Sequence, residues 1–395
     1  MKPWLTIIGI GEDGELSVEA RAALAHADLV VGGERHLGLV ATTAERRIWP
    51  SPMLPLVDEI VAGPRDRKLV VLASGDPMLH GVGATFAARL DPADYRVIPQ
   101  VSAFSLACAR LGWPQAAVTL VSAVGRPLDL MRPAVQPGRR LVIYGAVAAE
   151  VAGLLTSMGY GDSGLTLLEH LGGPAEARQD GIARHWTHPT GDLAVVAVTC
   201  LADTGTRPLS TLAGLPDEAF DSDGQMTKRE VRAATLARLV PLPGQLLWDV
   251  GAGTGTIGIE WSRADPSCLA IAIERRADRV ERIANNARML GVPSLQVIEG
   301  ELPGALDGLP APDAIFIGGG IGTERLVELC WTALKPGGRL VANVVTIGGE
   351  ASLAHWHQKL GGDLTRISVA RARAVGGMLG WKSLAPVTQW AVVKP

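Results

Sequence analysis

The sequence predicts an α/β protein built from two unlike halves, on three observations. Short aliphatic runs alternate with alanine-rich helical segments along most of the 395 residues. Many of those runs end in glycine-bearing loops. The rhythm then breaks once, in a stretch rich in Asp, Thr, Gly, Pro and Ser (202–225), and restarts after it. Strands nearly continuous in aliphatic residues and separated by helices imply parallel-rich sheets covered on both faces.

In the first half, strands are expected at 5–10, 29–31, 69–72, 95–98, 118–121, 141–143, 165–168 and 193–199. Helical segments are expected at 18–27, 83–90, 104–111 and 148–158. The break lacks any sustained period, which makes it a linker. Thr227 with Glu230 three residues on forms a capping-box pattern, opening a helix that should run to Leu239. After it come a strand (246–250), a helix (256–264), a strand (269–273), a long helix (277–290), and strands at 295–298, 314–317, 340–345 and near 389–393. The expected division is 1–201, a linker 202–213, and 214–395.

Composition narrows the function classes. Hydrophobic residues make up 47% and charged residues 19%, the reverse of a disordered chain, so the surplus among the 47 glycines belongs to turns and ligand loops. A net charge of −3 lacks the basic excess typical of nucleic-acid binders. Four cysteines with no CxxC pair fit reduced thiols in a cytoplasmic protein. The opening MKPWLTIIGIGEDGE is interrupted by Gly9 and Gly11 and reads as a strand and turn, not a signal peptide. The longest uncharged apolar run, 193–202, is about half a membrane span.

The strongest local signal is LLWDVGAGTGTIGIEW. An aliphatic strand ends near Asp249, and Gly251, Gly253 and Gly255, with Ala252 and Thr254 between them, form a loop before a helix. Glycine admits a ligand where a Cβ would collide. A rival register, Gly253 to Gly258, satisfies GxGxxG for a dinucleotide, but the strand would then have to continue to Gly253. An acid two places before the first glycine suits a cationic amino group and would repel a pyrophosphate. Glu274 closes the second strand, 19 residues after Gly255, at the spacing of an acid that accepts from a ribose diol. Glu301 and Leu302 follow a third strand, where a loop could flank an adenine, and FIGGG ends a fourth.

Together these residues resemble a class I S-adenosylmethionine methyltransferase. MTKREVRA, DVGAGTGTIGIE, FIGGG and LKPGGRLVANVVT resemble the CbiT-type decarboxylating methyltransferases of cobalamin biosynthesis over about residues 214–395. The resemblance implies that Thr227, Gly251–Gly255, Glu274 and Leu302 line the cofactor. Relatives often read Gly-Asp-Ala where this chain has Gly300-Glu301-Leu302.

The first half carries TIIGIGEDG with Gly11, VVLASGDPMLHGVG with Asp76 and Leu79, and VIPQVSAFSLACARLGWP with Ser102 and Ala103 at a helix start. Any one is an ordinary strand–helix turn, but three at strand ends suggest a shared crevice. They resemble the tetrapyrrole methylase (class III) fold, of the CbiE type, over about residues 3–201. The resemblance implies two α/β subdomains holding S-adenosylmethionine between them at Gly11, Asp76, Leu79, Ser102 and Ala103. LEHLGGPAEARQDG (168–181) matches a further stretch of that family. Two departures are Glu12, where relatives often have Pro, and Val124, where His is expected.

Two fused domains of these types imply two cofactor molecules, a small tetrapyrrole substrate, methyl transfer to C5 and C15 of a corrinoid precursor, and loss of the C12 acetate carboxyl as CO2. Substrate carboxylates would call for Arg or Lys in each cleft, with Arg371 and Arg373 as candidates. No proton-transfer residue can be named from the sequence. Relatives of both halves commonly associate, so the resemblance also implies a homo-oligomer. His185 with His188 and His355 with His357 lack accompanying Cys or carboxylate ligands, and no metal is expected. An RNA methyltransferase and an NAD-dependent oxidoreductase remain the competing readings.

Overall fold

The aliphatic runs of the first half assemble two five-stranded sheets. The elements run β1 (Leu5–Ile10), α1 (Val18–Ala25), β2 (Leu29–Gly32), α2 (Glu34–Leu39), β3 (Glu45–Ile48), α3 (Leu54–Ala62), β4 (Leu69–Ser74), α4 (Val82–Ala87), β5 (Tyr95–Ile98) and α5 (Ala103–Leu111). Then come β6 (Val118–Ser122), β7 (Arg140–Tyr144), α6 (Ala148–Ser157), β8 (Gly164–Glu169), β9 (Ala177–Ile182) and β10 (Ala194–Thr199). The first sheet has the order β3-β2-β4-β1-β5 and is wholly parallel. The second has the order β6-β7-β10-β8-β9, with β10 antiparallel to both its neighbours. The central strands are buried along nearly their whole length, as the continuous aliphatic runs require.

The second half forms α7 (Arg229–Leu239), β11 (Leu246–Val250), α8 (Thr256–Ala264), β12 (Leu269–Glu274), α9 (Ala277–Met289), β13 (Gln296–Glu299), β14 (Ala314–Ile317), α10 (Leu326–Ala333), β15 (Arg339–Val344) and α11 (Ile347–Leu360). It closes with β16 (Asp363–Ile367), β17 (Ala370–Val375), β18 (Met378–Ser383) and β19 (Val387–Val393). A seven-stranded sheet has the order β13-β12-β11-β14-β15-β19-β16, with β19 antiparallel at its far side. Strand order reverses between β11 and β14, the switch point where open α/β sheets bind ligands. Among the described residues, strands β17 and β18 pair only with each other.

The computed structural model describes residues 3–395. Two compact units divide it: one runs to Leu128 and includes Ala134–Thr206, the other comprises Asp129–Pro133 and Arg207–Pro395. The segment expected to be a linker is held at both ends. Asp203 accepts from the backbone N–H groups of Gly161 and Asp162 (3.2 and 2.9 Å), while Arg263 donates to the carbonyls of Leu209 and Ser210 (3.4 and 3.1 Å). Among the described residues no helix is long and apolar enough to cross a membrane.

The expected capping box is a correction. Lys228, not Thr227, is the N-cap of α7, and its side chain makes no cap bond. Asp217 Oδ1 takes over that role, accepting from Arg229 N at 3.0 Å, and also accepts from Arg232 Nη1 at 2.9 Å. Arg232 is fully buried and donates through Nε to Glu260 at 2.7 Å; Glu260 also accepts from the backbone of Gly214 and Leu215 (2.6 and 3.0 Å). This network fastens the segment before α7 onto α8. Because Glu260→Ala leaves Arg232 Nε and the buried Gly214 and Leu215 N–H groups without an acceptor, it should cost the second unit about 3–5 kcal/mol. Denaturant unfolding followed by tryptophan fluorescence measures this, since Trp248, Trp261 and Trp390 lie buried in that unit.

Candidate active sites

In the second unit the site begins where β11 ends. Gly251 has φ +69, and a Cβ there would sit 3.0–3.1 Å from backbone atoms of Gly319, so the loop after β11 touches the loop after β14 only as glycine against glycine. Gly255 (φ +76) starts α8, and a Cβ there would strike Ile283 at 2.7 Å. Gly253 differs: its φ is +60, yet a Cβ would meet only the Gln225 carbonyl at 3.8 Å. The space beside Gly253 is therefore open.

Asp249 and Glu274 stand on either side of this loop. Asp249 is 1% exposed; its Oδ2 accepts from Gly258 N at 2.8 Å, and its Oδ1 is buried without a partner. Burial, with the Glu274 charge adding to it, pushes the Asp249 carboxyl up to about 7. Glu274 accepts from Gly253 N (2.9 Å) through one oxygen and from Arg275 N and Arg276 N (both 3.1 Å) through the other. A ligand bringing a cation to Asp249 and hydroxyl donors to Glu274 would satisfy both carboxylates.

The remaining residues expected in this site are spread around the loop. Thr254 is buried and donates to Gln225 O at 3.2 Å, which brings the segment preceding Thr227 across the loop. Thr227 is half-buried, and its carbonyl accepts from Arg232 (2.6 Å). Ala252 is half-buried and donates to Ile273 O at 3.0 Å. Leu302 packs on the core beneath β14, 3.4 Å from where a Gly320 Cβ would be, while its neighbour Glu301 is exposed. The rival dinucleotide register fails on its own terms, because β11 stops at Val250, three residues before Gly253. Arg371, considered for substrate carboxylates, is already paired with Asp217 (2.8 Å) and Glu230 (2.6 Å).

In the first unit, the three loops expected to share a crevice meet at the carboxyl edge of β4, β1 and β5. A Cβ on Gly9 would fall 1.9 Å from the Gly75 carbonyl, and one on Gly75 (φ +55) would lie 3.0 Å from Ser102 Cα. Gly11 accepts from Gly14 N in the turn after β1. Asp76 folds its loop by accepting from Met78 N at 2.9 Å, and its carbonyl accepts from Leu79 N at 3.1 Å. Ser102 caps α5 by accepting from Ser105 N (3.1 Å), with Ala103 the first helical residue.

Residues from the second sheet close this crevice, and sequence reasoning missed them. Tyr144, at the end of β7, accepts from Phe104 N; burial pushes its phenol up to about 12, so it stays protonated. Across the same edge Glu12 pairs with Arg35 and lies 3.1 Å from His170 Nδ1. Arg35 also donates to His36 Nε2 (2.9 Å), and His36 lies 2.9 Å from Ser74 Oγ. Burial, then the Arg35 charge, push His36 down to about 4. Glu12 stood out only as an unexpected residue in a glycine loop, and 158 residues separate it from His170. No local pattern could join them. Among the described residues no group of three or more His, Cys, Asp or Glu is placed to hold a metal.

Comparison with known proteins divides the chain in two. Residues 5–181 match the family described as tetrapyrrole (corrin/porphyrin) methylases, and residues 218–394 match the precorrin methyltransferase domain. A precorrin-6Y C(5,15)-methyltransferase [decarboxylating] from Sinorhizobium sp is 52% identical over all of this chain and 97% of its own length. A protein of the same name from Mycobacterium tuberculosis is 43% identical over 99% of this chain and all of its own. The solved C-terminal domain of precorrin-6Y C5,15-methyltransferase from Rhodobacter capsulatus is 44% identical, covering 47% of this chain and all of that one, with TM-score 0.45. Fold and site define a two-domain methyltransferase of the tetrapyrrole class. The chain belongs to the family of decarboxylating precorrin-6Y C(5,15)-methyltransferases. Neither the RNA nor the NAD reading is supported.

The Asp249 environment yields a test that needs no ligand. A carboxyl raised from 3.8 to about 7 in the fold stabilises the protein below pH 4, and that contribution is lost as pH rises toward and through 7. Asp249→Asn, which mimics the protonated form, should therefore melt higher than the parent at pH 8, with the difference narrowing as pH falls and closing only near pH 4. Calorimetric scans from pH 8 down to pH 4 measure it.

Proposed function

We propose that this chain takes S-adenosylmethionine in each unit, methylates C5 and C15 of precorrin-6Y, and releases the C12 acetate carboxyl as CO2, giving precorrin-8. The second unit serves C15 and the decarboxylation, the first unit C5. The observation that carries this is the presence of two glycine-lined carboxyl-edge sites on unlike sheets within one chain. Two positions methylated on one macrocycle call for two such sites.

In the second unit, the orphan Oδ1 of Asp249 suits the cationic amino group of the cofactor, and Glu274 suits its ribose hydroxyls. The open face of Gly253, with Ala252 and Thr254, admits the backbone-close part of the ligand, while Gly251 and Gly255 shape the loop. Thr227, Glu301 and Leu302 border it. In the first unit Gly11, Asp76, Leu79, Ser102 and Ala103 would line the equivalent space. Bound S-adenosylmethionine supplies an electrophilic sulfonium methyl. The chain's part is to align an enamine-like meso carbon with it in a water-poor cleft, which can supply much of the rate. For decarboxylation the protonated conjugated macrocycle is the electron sink.

The partner is a small tetrapyrrole rather than nucleic acid or membrane, in keeping with the net charge of −3. All four cysteines are free and buried, consistent with a reducing cytoplasm. A homo-oligomer would cover the β17–β18 hairpin, which exposes Val375, Met378, Leu379 and Trp381, the last two at 79% and 80%.

Mass spectrometry after incubation with precorrin-6Y and S-adenosylmethionine should find two methyl groups gained and one CO2 lost. Glu274→Ala should abolish the C15 methylation and decarboxylation and leave the first unit's cofactor binding intact by calorimetry. Retained double methylation would remove Glu274 from the site. Light scattering should show a smaller particle for Trp381→Glu than for the parent; equal masses would remove the hairpin from any subunit interface.

A further inference from the structure

We infer that His170, oriented by Glu12, accepts the proton that leaves the methylated meso carbon in the first unit's cleft. The inference rests on the proposed C5 methylation by that unit and names a group for it. The chemistry demands an acceptor. As the meso carbon's π electrons form the new C–C bond, the S–C bond breaks and sulfur keeps its electron pair. The carbon then carries both CH3 and H, and the positive charge spreads over the macrocycle. Loss of H+ from that carbon returns the C–H pair to the π system. The sum is one sulfonium converted to a thioether, one C–H replaced by C–CH3, and one proton delivered to the protein.

His170 meets the geometric needs of that acceptor. It follows β8 with φ +49, a left-handed conformation unusual for a residue with a side chain, and the loop beyond it packs hard on Glu12: a Cβ on Gly173 would lie 2.3 Å from Glu12 Cγ. His170 Nδ1 is 3.1 Å from Glu12 Oε1. With Nδ1–H donating to that carboxylate, the ring's lone pair is on Nε2. Among the described residues nothing hydrogen-bonds Nε2, and the side chain is 32% exposed at the crevice. Arg35 holds the other oxygen of Glu12 and reaches Ser74, the residue before the Gly75-Asp76 loop. The imidazole is thereby tied to the edge where the cofactor loops meet.

The other bases along that edge are engaged or unoriented. His36 Nε2 faces both Arg35 and Ser74, and its low pKa makes it a poor acceptor. Asp76 accepts from Met78 N within its own turn. Tyr144 stays protonated. His80 is exposed, with no side-chain partner among the described residues to orient it.

The test uses the full chain, with precorrin-6Y carrying deuterium at C5. His170→Asn should slow C5 methylation by at least about 100-fold, the usual scale of general-base loss. It should reveal a primary deuterium effect absent from the parent and recover partly with added imidazole. S-adenosylmethionine binding by calorimetry and C15 methylation with CO2 release should stay at parental levels. Glu12→Leu should shift the ¹⁵N resonances of the His170 ring in the substrate-free protein and slow the same step less. Full C5 methylation by His170→Asn overturns the inference, as does a slow variant with no isotope effect and no imidazole rescue. Transfer of the whole effect to His80→Ala overturns it too. A parent that adds no methyl at C5 would instead overturn the proposed function.

Discussion

Both clefts depend on one constraint: the backbones at the ends of neighbouring parallel strands must approach closer than any Cβ permits. In the second unit this is Gly251 against Gly319, with an added Cβ only 3.0–3.1 Å from backbone; in the first it is Gly9 against Gly75, where the clearance falls to 1.9 Å. The strands supply the position and the glycines the access. Two sheets of different topology thus reach the same kind of glycine-lined edge.

Around each edge, carboxylates are held in opposite ways. Glu274 is satisfied by three backbone N–H groups, and Glu260 by two backbone groups and a buried guanidinium, so both are structural as well as charged. Asp249 keeps one oxygen without a partner in a buried setting, an arrangement that costs stability when the carboxyl is ionised. In the first unit, Glu12 gathers Arg35 from one sheet's edge and His170 from the other's, which gives that crevice a polar closure as well as a floor.

The sequence by itself determined the alternation of strands and helices, the glycine loops and the strand-end acids Asp249 and Glu274, because these depend on local pattern: aliphatic runs, the conformational freedom of glycine, and spacing along one βαβ unit. It did not yield β3, β9 or β16, edge strands whose residues are largely exposed and carry no aliphatic run. The cap of α7 was misassigned because Asp217, eleven residues upstream of Lys228, reaches the helix N-terminus through a folded loop. What only the tertiary structure decided was the pairing of groups far apart in the chain: Glu12 with His170, Tyr144 with Phe104, and Arg371 with Asp217. Such pairs are created by the approach of sheets and loops, and no spacing rule encodes them.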